Sequence, residues 1–161
     1  PDDRQQRARQ RATDEVDRGR SHFKERNYAA AIACFRRALE FDPTFAEAAL
    51  RLGMAYEDDR QFRRAIAAYE TCLDIEPGHF QAATNIGEAW RKNESYSEGI
   101  TAYDRALKLK PDYLYALAGR AECCRMLGRY EEALAGFDRA LALGANHAFA
   151  IQGKADRKSV V

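Results

Sequence analysis

The chain has 161 residues, 46% of them hydrophobic and 32% charged, a balance that excludes both a membrane-spanning bundle and an intrinsically disordered chain. Its 26 Lys plus Arg against 25 Asp plus Glu leave a net charge of +1, too small to gather nucleic acid or acidic lipid except through a local patch. With no long apolar run free of charge and no basic-apolar-small leader, it reads as soluble and cytoplasmic, meeting a membrane only through a partner. Pro1 in place of Met reads as a trimmed or processed start.

Residues 1–11 read as a basic N-terminal extension, with Arg4, Arg7, Arg9 and Arg11 and no acid from residue 4 onward. No aromatic or lysine is interleaved, so a solvated helical extension is expected and nucleic acid is not. From residue 12 the chain repeats. Pro43, Pro77 and Pro111 stand 34 residues apart, and the same shift aligns Gly19, Gly53, Gly87 and Ala121. Further columns are aromatic (Tyr28, Phe62, Tyr96, Tyr130; Phe35, Tyr69, Tyr103, Phe137), small (Ala38, Cys72, Ala106, Ala140) and leucine (Leu39, Leu73, Leu107, Leu141).

The apolar residues of each unit fall at helical spacing in two stretches, parted by a polar break such as Glu25-Arg26-Asn27, so each unit is predicted to be a helical hairpin. The units are 12–45, 46–79, 80–113 and 114–147. A glycine inside a helix costs about 1 kcal/mol relative to alanine, so its recurrence at unit position 8 points to close helix approach. The aromatic at position 24 is expected to pack into the neighbouring layer, and the proline at position 32 ends the second helix. In the fourth unit Ala145 replaces that proline, which leaves its end less defined. Residues 148–161 are predicted as a capping helix and tail, with Phe149, Ile151 and Ala155 in register and Lys154 and Lys158 facing solvent.

This 34-residue pattern of small, aromatic and proline positions resembles the tetratricopeptide repeat (TPR) family over residues 12–147. The resemblance implies an all-α, right-handed superhelical solenoid of antiparallel helix pairs, with the first helix of every unit lining a concave groove. It also implies a non-catalytic scaffold or adaptor that binds a protein or peptide ligand there. One subfamily holds a terminal carboxylate through Lys and Asn side chains. At those positions this chain has Val16, Arg20, Arg51, Gln81 and Asn85, so that clamp is absent, and only Asn85 matches a residue that often holds a ligand backbone. Small bacterial TPR proteins that coat organelles of the magnetosome type look similar, which makes a self-assembling homo-oligomer the alternative. A docking module of a larger enzyme is the other.

On each first helix, positions 4, 7, 8 and 11 form the packing stripe and positions 2, 5, 9, 12 and 13 face roughly the other way. With position 6 added for Arg51 and Asn85, the candidate groove residues are Arg20, Phe23, Lys24, Leu50, Arg51, Met54, Glu57, Asn85, Glu88, Arg91, Lys92, Tyr115, Glu122, Arg125 and Met126. Val16 belongs to the same face. Methionine and aromatic side chains suit an adaptable peptide surface, whereas the charged members are mixed in sign and define no single-sign groove. Cys34, Cys72, Cys123 and Cys124 have no C-x-x-C spacing and read as small buried residues of a reducing compartment. No phosphate-binding loop, zinc helix motif or nucleophile elbow is present in the sequence, and no metal, cofactor or catalytic residue is expected. The final Ser159-Val160-Val161 resembles a PDZ-domain ligand only in its last three residues.

Overall fold

The structure is a computed structural model that describes residues 2–144. The predicted capping helix and tail therefore lie outside the described residues. Among those residues are eight helices: α1 (Asp3–Lys24), α2 (Tyr28–Phe41), α3 (Ala46–Asp58), α4 (Phe62–Ile75), α5 (Phe80–Lys92), α6 (Tyr96–Leu109), α7 (Leu114–Met126) and α8 (Tyr130–Ala142). They pack as sequential antiparallel pairs. The chain divides into two compact units, with the boundary after Ala82, inside α5.

Helix α1 starts earlier than the repeat register requires, so the basic segment is continuous with the first helix. Asp2 caps it, its side chain accepting the Arg4 N–H at 3.3 Å. Arg9 fastens the early turns: it pairs with Asp42 at 2.7 Å, and its guanidinium lies 3.8 Å from the Phe45 ring centre. The core of this N-terminal unit then runs through Ala12 and Val16 of α1, Ala31, Ile32 and Phe35 of α2, and Ala48, Leu52 and Ala55 of α3. Val16, expected on the groove face, is instead buried in this core at 3% exposure. Position 5 meets the adjoining first helix when hairpins stack, and a branched apolar side chain there gains more from packing than from solvent.

Glycine and aromatic columns meet inside each of the first three hairpins. A Cβ added to Gly19 would lie 2.5 Å from the Phe35 ring, and one added to Gly53 would lie 2.4 Å from that of Tyr69. In the C-terminal unit, Tyr103 lies against Gly87 of its own hairpin and also against Gly119 of the next, where a Cβ would come within 2.3 Å. The position-24 aromatic thus packs onto its own hairpin as well as toward the neighbouring layer, where Phe35 shares a core cluster with Ala48, Leu52 and Ala55 of α3. Tyr103 does both, because glycines flank its ring on two helices.

Each hairpin turn ends its first helix in one way. Arg26 and Asn27 donate to the Phe23 and His22 carbonyls at 3.0 and 2.9 Å, closing a Schellman motif, and the same pair of bonds recurs at Arg60–Gln61, Glu94–Ser95 and Gly128–Arg129. The motif needs a left-handed residue, and Arg26, Arg60, Glu94 and Gly128 have φ of 60°, 61°, 61° and 78°. Only the last is glycine, so Gly128→Ala is expected to lower stability by about 1 kcal/mol, a cost the other three turns already carry. Urea denaturation of the two proteins measures it.

Between hairpins, Pro43, Pro77 and Pro111 occupy the second position of β-turns closed by Phe45 to Asp42, His79 to Glu76 and Tyr113 to Lys110 (N–H to carbonyl, 3.0–3.2 Å). Helix α8 has no such proline. It ends instead at Gly144, with φ 82° and its N–H on the Leu141 carbonyl at 3.0 Å.

Candidate functional site

In the C-terminal unit, α5 and α7 enclose an open groove of about 400 Å³. Thr84, Glu88 and Arg91 reach it because they recur at i, i+4 and i+7 on α5, and Asn85 stands beside them. From α7 come Tyr115, Ala118 and Gly119, and from the preceding turn Tyr113. Gly119 contributes no side chain, and the space its Cβ would take is filled by the Tyr103 ring, 2.3 Å away.

Tyr103 joins the groove to the core. Its ring is fully buried, and its hydroxyl donates to Glu88 Oε2 at 2.9 Å. Arg91 holds the same carboxylate from the other side, its Nε donating to Oε2 at 3.1 Å. Burial disfavours the charge on Glu88, but the hydrogen bonds and charge of Arg91, with the Tyr103 hydroxyl, outweigh it and hold the pKa below the ordinary carboxylate value. Burial opposes the Arg91 charge too, and Glu88 overcomes it, so the guanidinium stays protonated. For Tyr103, burial and then the Glu88 charge push the phenol well up, which keeps it a donor.

The sign for stability follows from linkage. A carboxyl with a lower pKa folded than unfolded contributes fully above the unfolded value of about 4.3 and loses that contribution as pH falls through the folded value. The advantage in thermal midpoint of the unmodified protein over Glu88→Gln is therefore expected to be full at pH 7 and to shrink as pH is lowered below the unfolded carboxyl range, which thermal melts across an acid pH series test.

The groove's remaining groups suit recognition. Tyr113 and Tyr115 meet edge to face, ring centres 5.5 Å apart at 63°, and Tyr115 is 54% exposed. Half-buried Asn85 makes no side-chain hydrogen bond among the described residues, so its amide can offer a donor and an acceptor to a passing backbone. None of the lining residues is Ser, Cys or His.

Of the residues singled out in the sequence, the groove unites Asn85, Glu88, Arg91 and Tyr115. Lys92 is at its margin, with Nζ 4.0 Å from Glu88. Glu122 and Arg125 repeat the Glu88–Arg91 pair on α7, with Arg125 Nε on Glu122 Oε2 at 2.8 Å, and Met126 is exposed beside them. The others belong to the N-terminal unit. Arg20 and Lys24 are exposed, Phe23 packs on the core and edge-on to Tyr28, and Arg51 pairs with Glu47 at 2.9 Å. Leu50 and Met54 are half-buried. Glu57 is buried at 9% exposure, where its Oε1 accepts the Tyr69 hydroxyl at 2.9 Å, so it faces the hairpin interior and not solvent. A buried aromatic hydroxyl needs an acceptor, and Glu57 supplies it. Tyr113 was missed: the column Phe45, His79, Tyr113 marked it, but it lies in the turn before the first helix.

All four cysteines are buried and free. Burial, reinforced by Glu76, pushes the Cys72 thiol up to about 11, and burial is also the main cause that pushes Cys123 up to about 12, so neither is a ready nucleophile. Among the described residues, no group of three or more His, Cys, Asp or Glu side chains could hold a metal ion, and no helix is long and apolar enough to cross a membrane.

Paired helices closed by glycine–aromatic contacts, with a groove between successive first helices, define a helical-repeat module. Residues 50–113 and 89–148 match the tetratricopeptide repeat family, and residues 19–59 match a TPR repeat. The chain belongs to the tetratricopeptide repeat family, whose domains are typically non-catalytic and generally mediate protein binding. No protein of curated function matches the sequence. Among solved structures, a crystal structure of MamA protein is similar, with TM-score 0.77 and 21% identity over 92% of this chain and 85% of that one. MamA (41-end) from Desulfovibrio magneticus RS-1 gives 0.76 and 19% over 85% and 77%. The first TPR of Spaghetti (RPAP3), bound to the HSP90 peptide SRMEEVD, gives 0.69 and 22% over 74% and 95%. Identities this low carry the fold alone.

Proposed function

We propose that this chain is a non-catalytic scaffold that binds an extended segment of a partner protein in the α5–α7 groove. The observation that carries the reading is the Asn85 amide, without a side-chain partner among the described residues, between a fixed Glu88–Arg91 pair and the exposed Tyr115 ring. Asn85 would hold the ligand's backbone, and the tyrosines would cover one of its apolar side chains. Because Tyr103 and Arg91 already fix Glu88, the groove loses little freedom on binding, and the ordering cost falls on the ligand. The RPAP3 TPR binds a peptide, which supports peptide binding by this architecture. A different mode is expected here, since Val16, Arg20, Arg51 and Gln81 do not supply the terminal-carboxylate clamp. An internal segment is the better fit. A cytoplasmic location belongs to the same proposal, since four buried free thiols suit a reducing compartment.

Selection of phage-displayed peptides on the immobilised whole chain tests this. Selected peptides are expected to bind Asn85→Ala and Tyr115→Ala at least about tenfold more weakly, the loss of a typical interface anchor, with the circular dichroism spectrum unchanged. Peptides that bind both variants as tightly as the unmodified chain would refute the groove as the site.

A further inference from the structure

The two units carry the same hollow with opposite chemistry. In the C-terminal unit, Arg120 of α7 bridges two acids: its Nε is 2.6 Å from Asp104 Oδ1 of α6, and a terminal nitrogen is 3.6 Å from Glu132 Oε2 of α8. A shift of two repeats, 68 residues, takes Asp104, Arg120 and Glu132 to Arg36, Leu52 and Arg64. These residues line an open hollow of about 490 Å³ between α2, α3 and α4 in the N-terminal unit. Where one unit closes a cation between two carboxylates, the other sets two cations around a leucine.

Among the described residues, no acidic side chain pairs with either arginine. Arg36 has no hydrogen bond or ion pair among the described residues, and Arg64 is bound only to the neutral Gln61 Oε1, at 2.7 Å. The Tyr56 hydroxyl, at the same rim, has no partner among them either. The floor is apolar, made by Leu52 with Ala67 and Ala68 of α4. Two like charges beside an apolar floor are repulsive until an anion enters, and a carboxylate suits guanidinium forks geometrically.

We infer that this hollow docks an acidic side chain of a partner protein, its carboxylate between Arg36 and Arg64 and its apolar neighbours on Leu52 and Ala67. A protein partner fits better than a polyanion. Residues 2–82 carry 14 Lys plus Arg and 15 Asp plus Glu, so no long-range field gathers phosphates, and the floor calls for apolar contact. This site is separate from the α5–α7 groove and does not depend on it.

The test is an NMR titration of the isotope-labelled full chain with acetyl-Ala-Leu-Glu-Leu-Ala-amide, its Gln counterpart and inorganic phosphate. The arginine Nε–Hε signals of Arg36 and Arg64 are expected to shift and saturate with the Glu peptide, at a dissociation constant on the order of 1 mM or tighter. The Gln peptide is expected to leave them in place, and phosphate to act more weakly than the Glu peptide. The backbone amide signals of Leu52, Ala67 and Ala68, which line the same hollow, are expected to shift with the Glu peptide in the unmodified chain and to stay in place in the variant Arg36→Asp/Arg64→Glu, which copies the acids of the other unit and keeps its thermal midpoint; Arg36→Gln serves if that variant fails to fold. Equal shifts with the Gln peptide, tighter response to phosphate, no shift with the Glu peptide, or shifts that persist in the variants would each overturn the proposal. Shifts at the Asn85 side-chain amide with the arginines still would assign the peptide to the groove and also overturn it.

Discussion

Replacing Tyr103 with alanine is expected to lower the unfolding free energy by about 3–5 kcal/mol, the range for removing a large buried aromatic. The ring is fully buried against Gly87 and Gly119, which lie on two different helices. With no Cβ on either glycine, neither helix can fill the space left behind, so the cavity term is retained in full. Repeat proteins hold together through nearest-neighbour contacts, and this residue contributes to two of them. Tyr103→Phe keeps the ring and removes only the bond to Glu88, at a cost of about 1 kcal/mol. Urea denaturation of the three proteins separates the packing share from the hydrogen-bond share. A loss below about 1 kcal/mol for the alanine variant would contradict the wedge.

The second large effect is expected at Gly53. Valine there places a Cβ 2.4 Å from two carbons of the Tyr69 ring, and the ring cannot retreat, since it is 1% exposed and its hydroxyl is held by Glu57 at 2.9 Å. Overpacking of this kind costs about 3 kcal/mol, and a β-branched residue recovers little helix propensity. Gly78 is the control. It sits in the turn after Pro77 with open space where a Cβ would be, so Gly78→Ala is expected to be neutral or to stabilise by about 0.5 kcal/mol through the unfolded chain. Similar losses at both positions would mean that close approach is not why position 8 is small.

Much of the fold was legible in the sequence because it is periodic. Pro43, Pro77 and Pro111 marked the ends of α2, α4 and α6, and the glycine column marked close helix contact, since only a spatial constraint repeats an unfavourable residue at fixed spacing. What the glycines touch was less legible: a column names the small member of a contact and leaves its partner open, so the contact of the aromatic with its own hairpin was not foreseen beside the one with the next layer. The site was legible only in part. Helical geometry put Glu88, Arg91 and Tyr115 on one side of their helices, the family resemblance added Asn85, and the four do meet in one groove. The same geometry put Val16 and Glu57 with them. A helix face does not say whether its neighbour is solvent or another helix, and there Val16 packs while Glu57 serves the Tyr69 hydroxyl. The left-handed Arg26, Arg60 and Glu94 were invisible because their side chains give no sign of the backbone they adopt; Gly128, in the same column, was the available clue.

The central claim is that the α5–α7 groove holds a partner segment, and NMR on the isotope-labelled chain with one selected peptide tests it most directly. The predicted result is that the Asn85 side-chain amide and the Tyr115 ring signals shift together and saturate at one peptide concentration, with Arg91 Nε–Hε following them. Saturating shifts confined to α1–α4, with Asn85 and Tyr115 unmoved, would contradict the claim and place the partner elsewhere on the chain.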